Sequence, residues 1–409
     1  MLIKNLRTIL LGTLALILIY LYFFSLKTTP QHKQKKEIIT LDSQNEEEQA
    51  FNYLNNLRQG AGLIPFSSNT VLNKASKNHA FYLMQNRAYG HYEDSNKSGF
   101  TGEFAAQRVK HAGYNTQLII ENISSNNKNY KESIDGLFAA IYHRLAFLDF
   151  QGDQIGISIQ QNMTDKTKTA FVYNMGSSAL NQLYKNSKKP SQADLNNALD
   201  KHKNSNAQVV TYPFDKQSDI PPVFFNELPD PLPQHDVSGF PISISFNQAL
   251  FKEIKFLNFE LFNSNRERIR NTLTHTSKTD PNRRLNKFSF VLFPLNRLDW
   301  NSEYSVKFLA IVDKKLIEKR WSFKTRKYPI PLHKIEDESK TITVKLNQPN
   351  IFYFPPKTAK DLLHNVRYNS NFTMEFIDKN TIKLIALVKP LYTIKLPIGR
   401  HSLKLDIQN

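Results

Sequence analysis

Hydrophobic and polar positions follow three successive patterns along this chain of 409 residues. The first is an apolar run from Ile9 to Leu26, about 18 residues without a charge, which is roughly the length of a helix that crosses a bilayer core. Tyr20 and Tyr22 stand where a cleavable signal peptide has small residues, so we expect an uncleaved membrane anchor over residues 1–27. The polar residues 28–48 carry mixed charge and predict a spacer.

Apolar residues at helical spacing begin after this spacer and define the second pattern. It predicts four helices: one with a capping box at Ser43 and Glu46 and a stop at Gly60, one from Val71 to Asn86, one between Thr101 and Gly113, and one that ends near His143. Short apolar runs that start at Gln117, Gln154 and Thr169 predict strands. Residues 49–184 are therefore expected to form a mixed αβ domain.

The third pattern begins after a polar segment rich in Asn and Lys, residues 185–210, which is typical of a linker. Beyond it the apolar period becomes two, as in the segments PISISF and EYSVKFLAIV. Two prolines, Pro329 and Pro331, interrupt this pattern. We therefore expect a β-sandwich over residues 211–327 and a second β-rich domain over residues 328–409.

Composition and charge narrow the classes of function. The chain has no cysteine, which excludes disulfides and thiolate chemistry. Of the net charge of +18, an excess of +14 belongs to residues 185–409, where NRRLNK from Asn282 and EKRWSFKTRK from Glu318 are basic clusters. These clusters are interpreted either as solvation alone or as a surface that docks on anionic lipid or acidic envelope polysaccharide. No nucleic-acid recognition module is evident, so no nucleic acid is expected as a partner.

The predicted αβ domain contains the candidate chemistry. His91 in GHYED, Glu121 in LIIENISS and His143 in AIYHRLAFLDF supply two imidazoles and a carboxylate. Such a set can bind a divalent metal with one position open, or share protons with a bound water. Asn122, beside Glu121, fits a backbone contact and a substrate contact equally. The chain has no Walker-type Gly-Lys loop, no G-x-S-x-G elbow and no H-E-x-x-H motif, which argues against nucleotide enzymes and common serine hydrolases.

Other polar residues near these positions have simpler interpretations. His79 has helical spacing between apolar residues, which predicts a packed helix residue rather than a ligand. His111 is interpreted as an exposed residue at a helix end. Arg144 is interpreted as an architectural residue that pairs with a carboxylate, and Glu93 and Asp94 as solvation of a loop.

The series of blocks NYLNNLRQGAGL, GHYED, TGEFAAQRVKHAGY, IIENISS and IDGLFAAIYHRLAFLDF resembles the CAP domain of cysteine-rich secretory, antigen 5 and pathogenesis-related proteins, in its cysteine-free bacterial form. The resemblance implies a cleft with two His and two Glu, of which His91, Glu121 and His143 match three. The second Glu is expected three residues before His143, where Ala140 stands. The incomplete set implies weak, pH-dependent binding of a divalent metal such as zinc, calcium or magnesium.

The expected fold class is therefore α+β: an α-β-α sandwich CAP domain followed by two all-β, Ig-like sandwich domains, with an N-terminal transmembrane helix. The segment YPFDKQSDIPP also resembles the Ig-like modules that follow CAP domains in some bacterial envelope proteins.

The family resemblance also implies a location. It places the body in the periplasm or extracellular space of a bacterium, on a single-pass inner-membrane anchor, although Lys33, Lys35 and Lys36 after the anchor oppose this orientation under the positive-inside rule. Two functions stay open. One is a cell-envelope binding protein for a lipid, glycan or peptide, and the other is a metal-assisted hydrolase with Glu121 as base and the two histidines as ligands.

Overall fold

The computed structural model describes residues 40–187, 189–363, 366, 368 and 370–409. They form two compact units, one made of residues 40–329 and 356–362, the other of residues 330–355 and 363–409. Within this described part, no helix is long and apolar enough to cross a membrane. The predicted anchor over residues 1–27 lies outside the described residues, so it stays a prediction.

The first unit begins with seven helices and four strands. The helices are α1 Ser43–Gly60, α2 Thr70–Asn86, α3 Ala105–Ala112, α4 Tyr130–Ala139, α5 Ile141–Phe147, α6 Ser178–Asn186 and α7 Gln192–Leu199. The strands are β1 Ser67–Ser68, β2 Ile120–Ser125, β3 Gln154–Gln161 and β4 Thr169–Gly176. Helices α6 and α7 fall at the end of the predicted αβ domain and within the segment predicted as a linker.

These four strands form one sheet in the order β1-β3-β4-β2, with helices on both faces. Alternate side chains of β4 point to opposite faces of the sheet. Phe171 and Tyr173 pack into the core that α1, α4 and α5 cover, whereas Ala170 and Val172 pack against Leu83 of α2. The result is an α-β-α arrangement, and the prediction of an α+β domain is confirmed.

Two local features differ from the sequence prediction. The first helix is capped by Asp42, whose side chain accepts hydrogen bonds from the backbone N–H groups of Gln44 and Asn45, so the predicted cap at Ser43 is one residue too late. The predicted fourth helix is two helices, because Ala140 has extended dihedral angles of −74° and 114° and separates α4 from α5. His143 therefore lies inside α5 and not at the end of a longer helix.

The rest of the first unit is β structure. Its strands are β5 Val209–Tyr212, β6 Gln217–Ile220, β7 Phe224–Phe225, β8 Val237–Ser238, β9 Ile242–Phe246, β10 Ile254–Phe262, β11 Thr272–His275, β12 Ser289–Pro294, β13 Glu303–Val312 and β14 Lys315–Thr325. They form two four-stranded sheets, β10-β13-β14-β6 and β11-β12-β9-β5, and the short pair β7-β8. Phe308 of the first sheet packs on Phe290 of the second with ring centroids 5.3 Å apart, which makes the pair of sheets a sandwich.

The CAP-like part and this sandwich share one contiguous core. Phe138 of α4 packs on Tyr212 of β5 with a centroid distance of 4.7 Å. A cavity of about 300 Å³ opens at the same contact. Its two carboxylates are already paired, since Asp135 lies 2.7 Å from Arg326, and Asp219 lies 3.1 Å from Lys131. These ion pairs join the two parts, so the cavity is best understood as a consequence of their packing.

The second unit is β-rich. Its strands are β15 Leu332–Lys334, β16 Thr341–Lys345, β17 Pro349–Tyr353, β18 Phe372–Asp378, β19 Thr381–Ala386, β20 Ile394–Ile398 and β21 His401–Gln408. They form the sheets β15-β17-β19-β18 and β16-β21-β20. Phe352, Leu384 and Leu405 belong to its buried core. The C-terminal part of the chain is therefore β-structured, as the period of two predicts.

Candidate functional site

The structure brings His91 and Glu121 together. His91 follows α2 in a loop, and Glu121 lies in β2. The Nδ1 atom of His91 is 3.0 Å from Oε1 of Glu121. The imidazole is 45% exposed and the carboxylate 3%, so the histidine forms the outer end of the pair. It is the part of the site that an external ligand reaches first.

Arg108 of α3 holds Glu121 from the inner side. The Nη2 atom of its guanidinium donates to both carboxylate oxygens of Glu121, at 2.7 and 2.8 Å. The Nη1 atom donates to the carbonyl oxygens of His91 and Glu103, at 2.9 and 3.1 Å. Because Arg108 is 1% exposed, these are charge-assisted hydrogen bonds in a desolvated setting. They fix both the carboxylate and the loop that presents His91.

Glu93 is a second buried carboxylate of the same network. Its Oε1 atom is 2.8 Å from Nδ1 of His79, and its Oε2 accepts from the backbone N–H of Thr101 at 2.7 Å. The interpretation of Glu93 as loop solvation is therefore wrong, since only 2% of the residue is exposed. Asp94 beside it is exposed and accepts a hydrogen bond from the N–H of Asn96, as expected of a loop residue.

His79 is fully buried in α2, as predicted for a packed helix residue. Its Nε2 atom lies 3.1 Å from the carbonyl oxygen of Gly90, so both ring nitrogens face oxygen acceptors. The network thus holds two carboxylates, Glu93 and Glu121, around the guanidinium of Arg108, and His79 connects Glu93 to the backbone of the loop at Gly90. His111 is exposed in the last turn of α3, which agrees with its interpretation.

The charges of this network set the ionisation of Glu121. Burial favours the neutral carboxyl and is the largest single influence on its pKa. The hydrogen bond to His91 and the charges of Arg108 and His79 act in the opposite direction and together outweigh burial, so the pKa of Glu121 is lowered. Glu121 is therefore an ionised acceptor at neutral pH.

His143 has a different carboxylate partner. Its Nδ1 atom lies 3.1 Å from Oε2 of Glu227, which follows β7 in the β part of the same unit. The other oxygen of Glu227 accepts from the backbone N–H of Ile141 at 2.7 Å. Glu227 thus caps α5, whose N-cap residue Ala140 has no side chain for this task. His143 is 20% exposed and Glu227 is 6% exposed.

The side chains of Asn122 and Arg144 both donate hydrogen bonds to backbone carbonyl groups. The side-chain amide of Asn122 donates to the carbonyl oxygen of His143 at 2.9 Å. Arg144 is fully buried and donates to the carbonyl oxygens of Phe138 and Pro241, at 2.6 and 2.7 Å. Burial lowers the pKa of its guanidinium to about 9. Its role is architectural as predicted, but its hydrogen-bond partners are carbonyl groups of two different parts of the chain and not a carboxylate.

The fit of these residues to a metal ion is poor in this arrangement. In the portion of the chain that the structure describes, no group of three or more His, Asp or Glu side chains could hold a metal. Both oxygens of Glu121 already accept from Arg108, whose positive charge opposes a cation at that position. A metal site at His91, Glu121 and His143 stays a prediction from the sequence.

The sequence analysis did not identify Arg108 or Glu227 as members of the site. Arg108 lies in the segment AAQRVKHA, where it looks like any basic residue of a helix surface. Arg108 is buried beside Val109 on the inner face of α3. This burial would identify it as a site residue, but it can be known only once the orientation of α3 is known. Glu227 is 84 residues from His143 in sequence, so only the fold brings them together.

Two exposed aromatic side chains pack together next to His91 in the sequence. Tyr92, the residue after His91, is 64% exposed and packs edge-on against Phe104, which is 44% exposed, with ring centroids 5.3 Å apart. We call Tyr92 and Phe104 the aromatic rim. Exposed apolar side chains in a cluster mark binding surfaces more often than chance placement does.

The α-β-α domain thus holds a buried network of His, Glu and Arg side chains beneath the exposed imidazole of His91. Residues 51–175 match the family model "CAP: Cysteine-rich secretory protein family", and the chain therefore contains a CAP domain, as the resemblance predicted. A comparison with curated proteins gave no significant match.

Three of the solved structures that resemble part of the chain are surface or secretory proteins of bacteria. An outer surface protein of Borrelia burgdorferi is 19% identical, with 34% of this chain and 96% of that chain covered and a TM-score of 0.30. An extracellular SCP-domain protein of Bacillus anthracis is 17% identical, with 34% and 44% covered and a TM-score of 0.29. A cysteine-rich secretory protein of Staphylococcus aureus is 15% identical, with 34% and 40% covered and a TM-score of 0.25. This chain thus spans less than half of the last two proteins.

Proposed function

We propose that this protein binds a ligand of the bacterial cell envelope at the outer end of the His91–Glu121 pair. The observation that carries the proposal is the aromatic rim, an exposed pair of aromatic rings that begins at the residue after the exposed imidazole of His91. The buried network below fixes the imidazole and its carboxylate before a ligand arrives, and a preformed site loses less entropy on binding. Lipid, glycan and peptide ligands all have an apolar or ring-shaped face that aromatic side chains can cover.

A co-purified ligand is expected to depend on the aromatic rim. The full chain, extracted from membranes in mild detergent, is analysed by native mass spectrometry and metal analysis as wild type and as the double variant Tyr92→Ala, Phe104→Ala. Truncation of aromatic side chains that a bound ligand would cover should reduce ligand retention about tenfold or more. Met163→Ala is the matched control, since Met163 is 84% exposed in the connection between β3 and β4. Equal retention by the double variant and the wild type would contradict the proposal.

The same samples test the second candidate function, a metal-assisted hydrolase. A divalent metal that is retained by the wild type and lost by His143→Ala would support it, because a neutral imidazole is a metal ligand and alanine is not. This outcome requires His143 and Glu121 to release Glu227 and Arg108, their partners in the structure. We therefore place binding first and the hydrolase second.

The body of the protein is proposed to lie outside the cytoplasmic membrane. Two features support this location: the apolar run from Ile9 to Leu26 and a domain of a family described as secretory. A protease added to spheroplasts is then expected to digest the body, because it reaches only the outer side of the membrane. If the body survives while a periplasmic control protein is cut, it lies on the cytoplasmic side. The orientation would then follow the positive-inside rule and not the family.

Basic residues of the β structure are proposed to attract an anionic envelope component. Arg283, Arg284 and Lys287 of the first basic cluster are exposed, as is Lys319 of the second. Each exposed cation near an anionic membrane contributes roughly 1 kcal/mol of attraction, and salt weakens it.

Not every cation of these clusters is available for docking. Arg326, near the end of the segment EKRWSFKTRK, pairs with Asp135 and Asp219 within the unit. Arg320 of the same segment pairs with Glu318 at 2.6 Å. The proposed attraction therefore rests on the exposed residues alone.

A further inference from the structure

The connection between β19 and β20, residues 387–393, exposes four large apolar side chains within six positions. We call this segment the apolar loop. Leu391 is 102% exposed, Tyr392 78%, Val388 49% and Leu387 42%. Single exposed apolar residues are ordinary, but such a group at one tip has no function in the fold itself.

The apolar loop carries positive charge of its own. Between Asp378 and Asp406 the sequence has six Lys or Arg residues and no Asp or Glu. Lys389 lies within the loop, Lys395 lies near the start of β20 just after it, and both are exposed. The apolar side chains are therefore presented together with cations and without a compensating acidic residue in this part of the sequence.

Three kinds of partner could contact exposed apolar side chains that lie beside cations: an acidic glycan, a second copy of the loop and an anionic bilayer. An acidic glycan satisfies the cations but offers no apolar phase for a fully exposed leucine. A second copy of the loop buries the apolar side chains but brings like charges together. An anionic bilayer satisfies both, since its hydrocarbon receives Leu391 and Val388, and its head groups meet the cations. Tyr392 has the apolar ring and polar tip that are enriched at membrane interfaces.

We propose that the apolar loop inserts its side chains into an anionic lipid bilayer, with Lys389 and Lys395 at the level of the head groups. The inference deepens the proposed attraction to an envelope anion and rests on it, because it identifies lipid as the anion and this loop as the point of entry. It is independent of the ligand at the aromatic rim.

The absence of cysteine allows a probe at a single position. The full-length variant Leu391→Cys carries an environment-sensitive nitrobenzoxadiazole label and is reconstituted in vesicles of phosphatidylcholine, with or without phosphatidylglycerol. Iodide is present on both sides of the membrane, so the orientation of the protein does not affect quenching. In anionic vesicles, the quenching of the label should fall by roughly a factor of three or more relative to neutral vesicles.

Matched variants separate insertion from other causes. Met163→Cys, an equally apolar and 84% exposed position in the other unit, should stay accessible to iodide in both kinds of vesicle. Lys389→Gln, combined with the label at position 391, should lose part of the protection, because one cation near the head groups is removed.

Several results would overturn the inference. Unchanged quenching at position 391 in anionic vesicles would show that the loop stays in water, and equal protection at position 163 would show that the effect is not specific to the loop. Protection in neutral vesicles that requires added acidic glycan, or that grows with protein density, would identify a glycan or a second copy as the partner.

The proposed electrostatic attraction is tested separately in the same preparations. Protease-released body fragments that co-sediment with anionic vesicles at low salt and dissociate at high salt would support attraction, even where position 391 stays exposed to iodide. The loop inference would then fail while the broader proposal stands. No co-sedimentation at low salt, together with full quenching, would remove both.

Discussion

Replacement of Arg108 with methionine is expected to lower the free energy of unfolding by about 3–5 kcal/mol, the range observed when one partner of a buried ion pair is removed. Methionine fills much of the same volume but leaves Glu121 without the donor that meets both of its oxygens. Glu93 also loses the guanidinium whose Nε lies 3.8 Å away. Glu93 and Glu121 would then both remain buried without the guanidinium that lies between them.

Urea denaturation followed by far-ultraviolet circular dichroism measures this loss, because the helices α1 to α7 lie in or next to the CAP domain. Lys110→Met is the matched control, since Lys110 is exposed on the same helix as Arg108. It should change stability by no more than about 0.5 kcal/mol. If the two variants unfold at the same urea concentration, the network around Arg108 does not stabilise the fold.

The effect of Arg108→Met should also depend on pH. In the folded wild type the pKa of Glu121 is lowered from its ordinary value of 4.5. A lowered folded pKa means that the stabilising contribution is present above the unfolded pKa and is lost as the pH falls through the folded value. Protonated Glu121 no longer needs a cation, so the stability difference between wild type and variant should narrow below about pH 4.5. A constant difference from neutral to acid pH would assign the loss to packing.

The His91–Glu121 pair shows what could be predicted from sequence. Each residue lies in a short block that resembles the CAP family, and the blocks come in the family order, so their meeting follows from the fold. The extent of exposure of each side chain could not be predicted. It depends on the position of α3, which brings Arg108 under Glu121 and leaves His91 at the surface.

His143 shows where local pattern fails. The apolar spacing from Ile134 to Ile141 is helical on both sides of Ala140, so it predicts one continuous helix. The break at Ala140 is stabilised by Glu227, which accepts the N–H of Ile141 from a distant part of the chain. The hydrophobic pattern of a single helix contains no information about a contact with a residue as distant in sequence as Glu227. The carboxylate partner of His143 could therefore be found only in three dimensions.

The segment predicted as a linker contains secondary structure that its composition does not reveal. The polar, Asn-rich composition of residues 185–210 is typical of a loop, yet α7 forms within it behind an N-cap at Ser191, whose hydroxyl accepts the N–H of Asp194. No residue of α7 is buried, so hydrophobic periodicity gives no signal for this helix. The strand β5 begins at Val209, within the last residues of the same segment.

Gly156→Ala is the second change for which we expect a large effect, a loss of about 3 kcal/mol or more in the free energy of unfolding. Gly156 lies in β3 directly beneath α2. A β-carbon at this position would lie 2.0 Å from the carbonyl carbon of Leu72 and 2.4 Å from the backbone nitrogen of Asn73. These atoms are helix backbone, so no rotation of a side chain relieves the overlap, and α2 must move away from the sheet.

Displacement of α2 would also disturb the site, because α2 carries His79 and leads into the loop of His91. The contacts that tie α2 to β3 would be lost as well, among them the hydrogen bond from Ser76 Oγ to the carbonyl oxygen of Gly156 at 3.0 Å. We therefore expect Gly156→Ala to weaken retention of the ligand at the aromatic rim in addition to lowering stability.

Gly136→Ala is the matched control, because it adds the same methyl group where nothing lies within 4 Å. Gly136 is exposed in the interior of α4, where alanine is the better helix former, so this variant should gain about 0.5–1 kcal/mol. Thermal and urea unfolding of the two variants are then expected to shift in opposite directions from the wild type. A shift of Gly156→Ala as small as that of Gly136→Ala would mean that α2 does not press on β3 as closely as the structure places it.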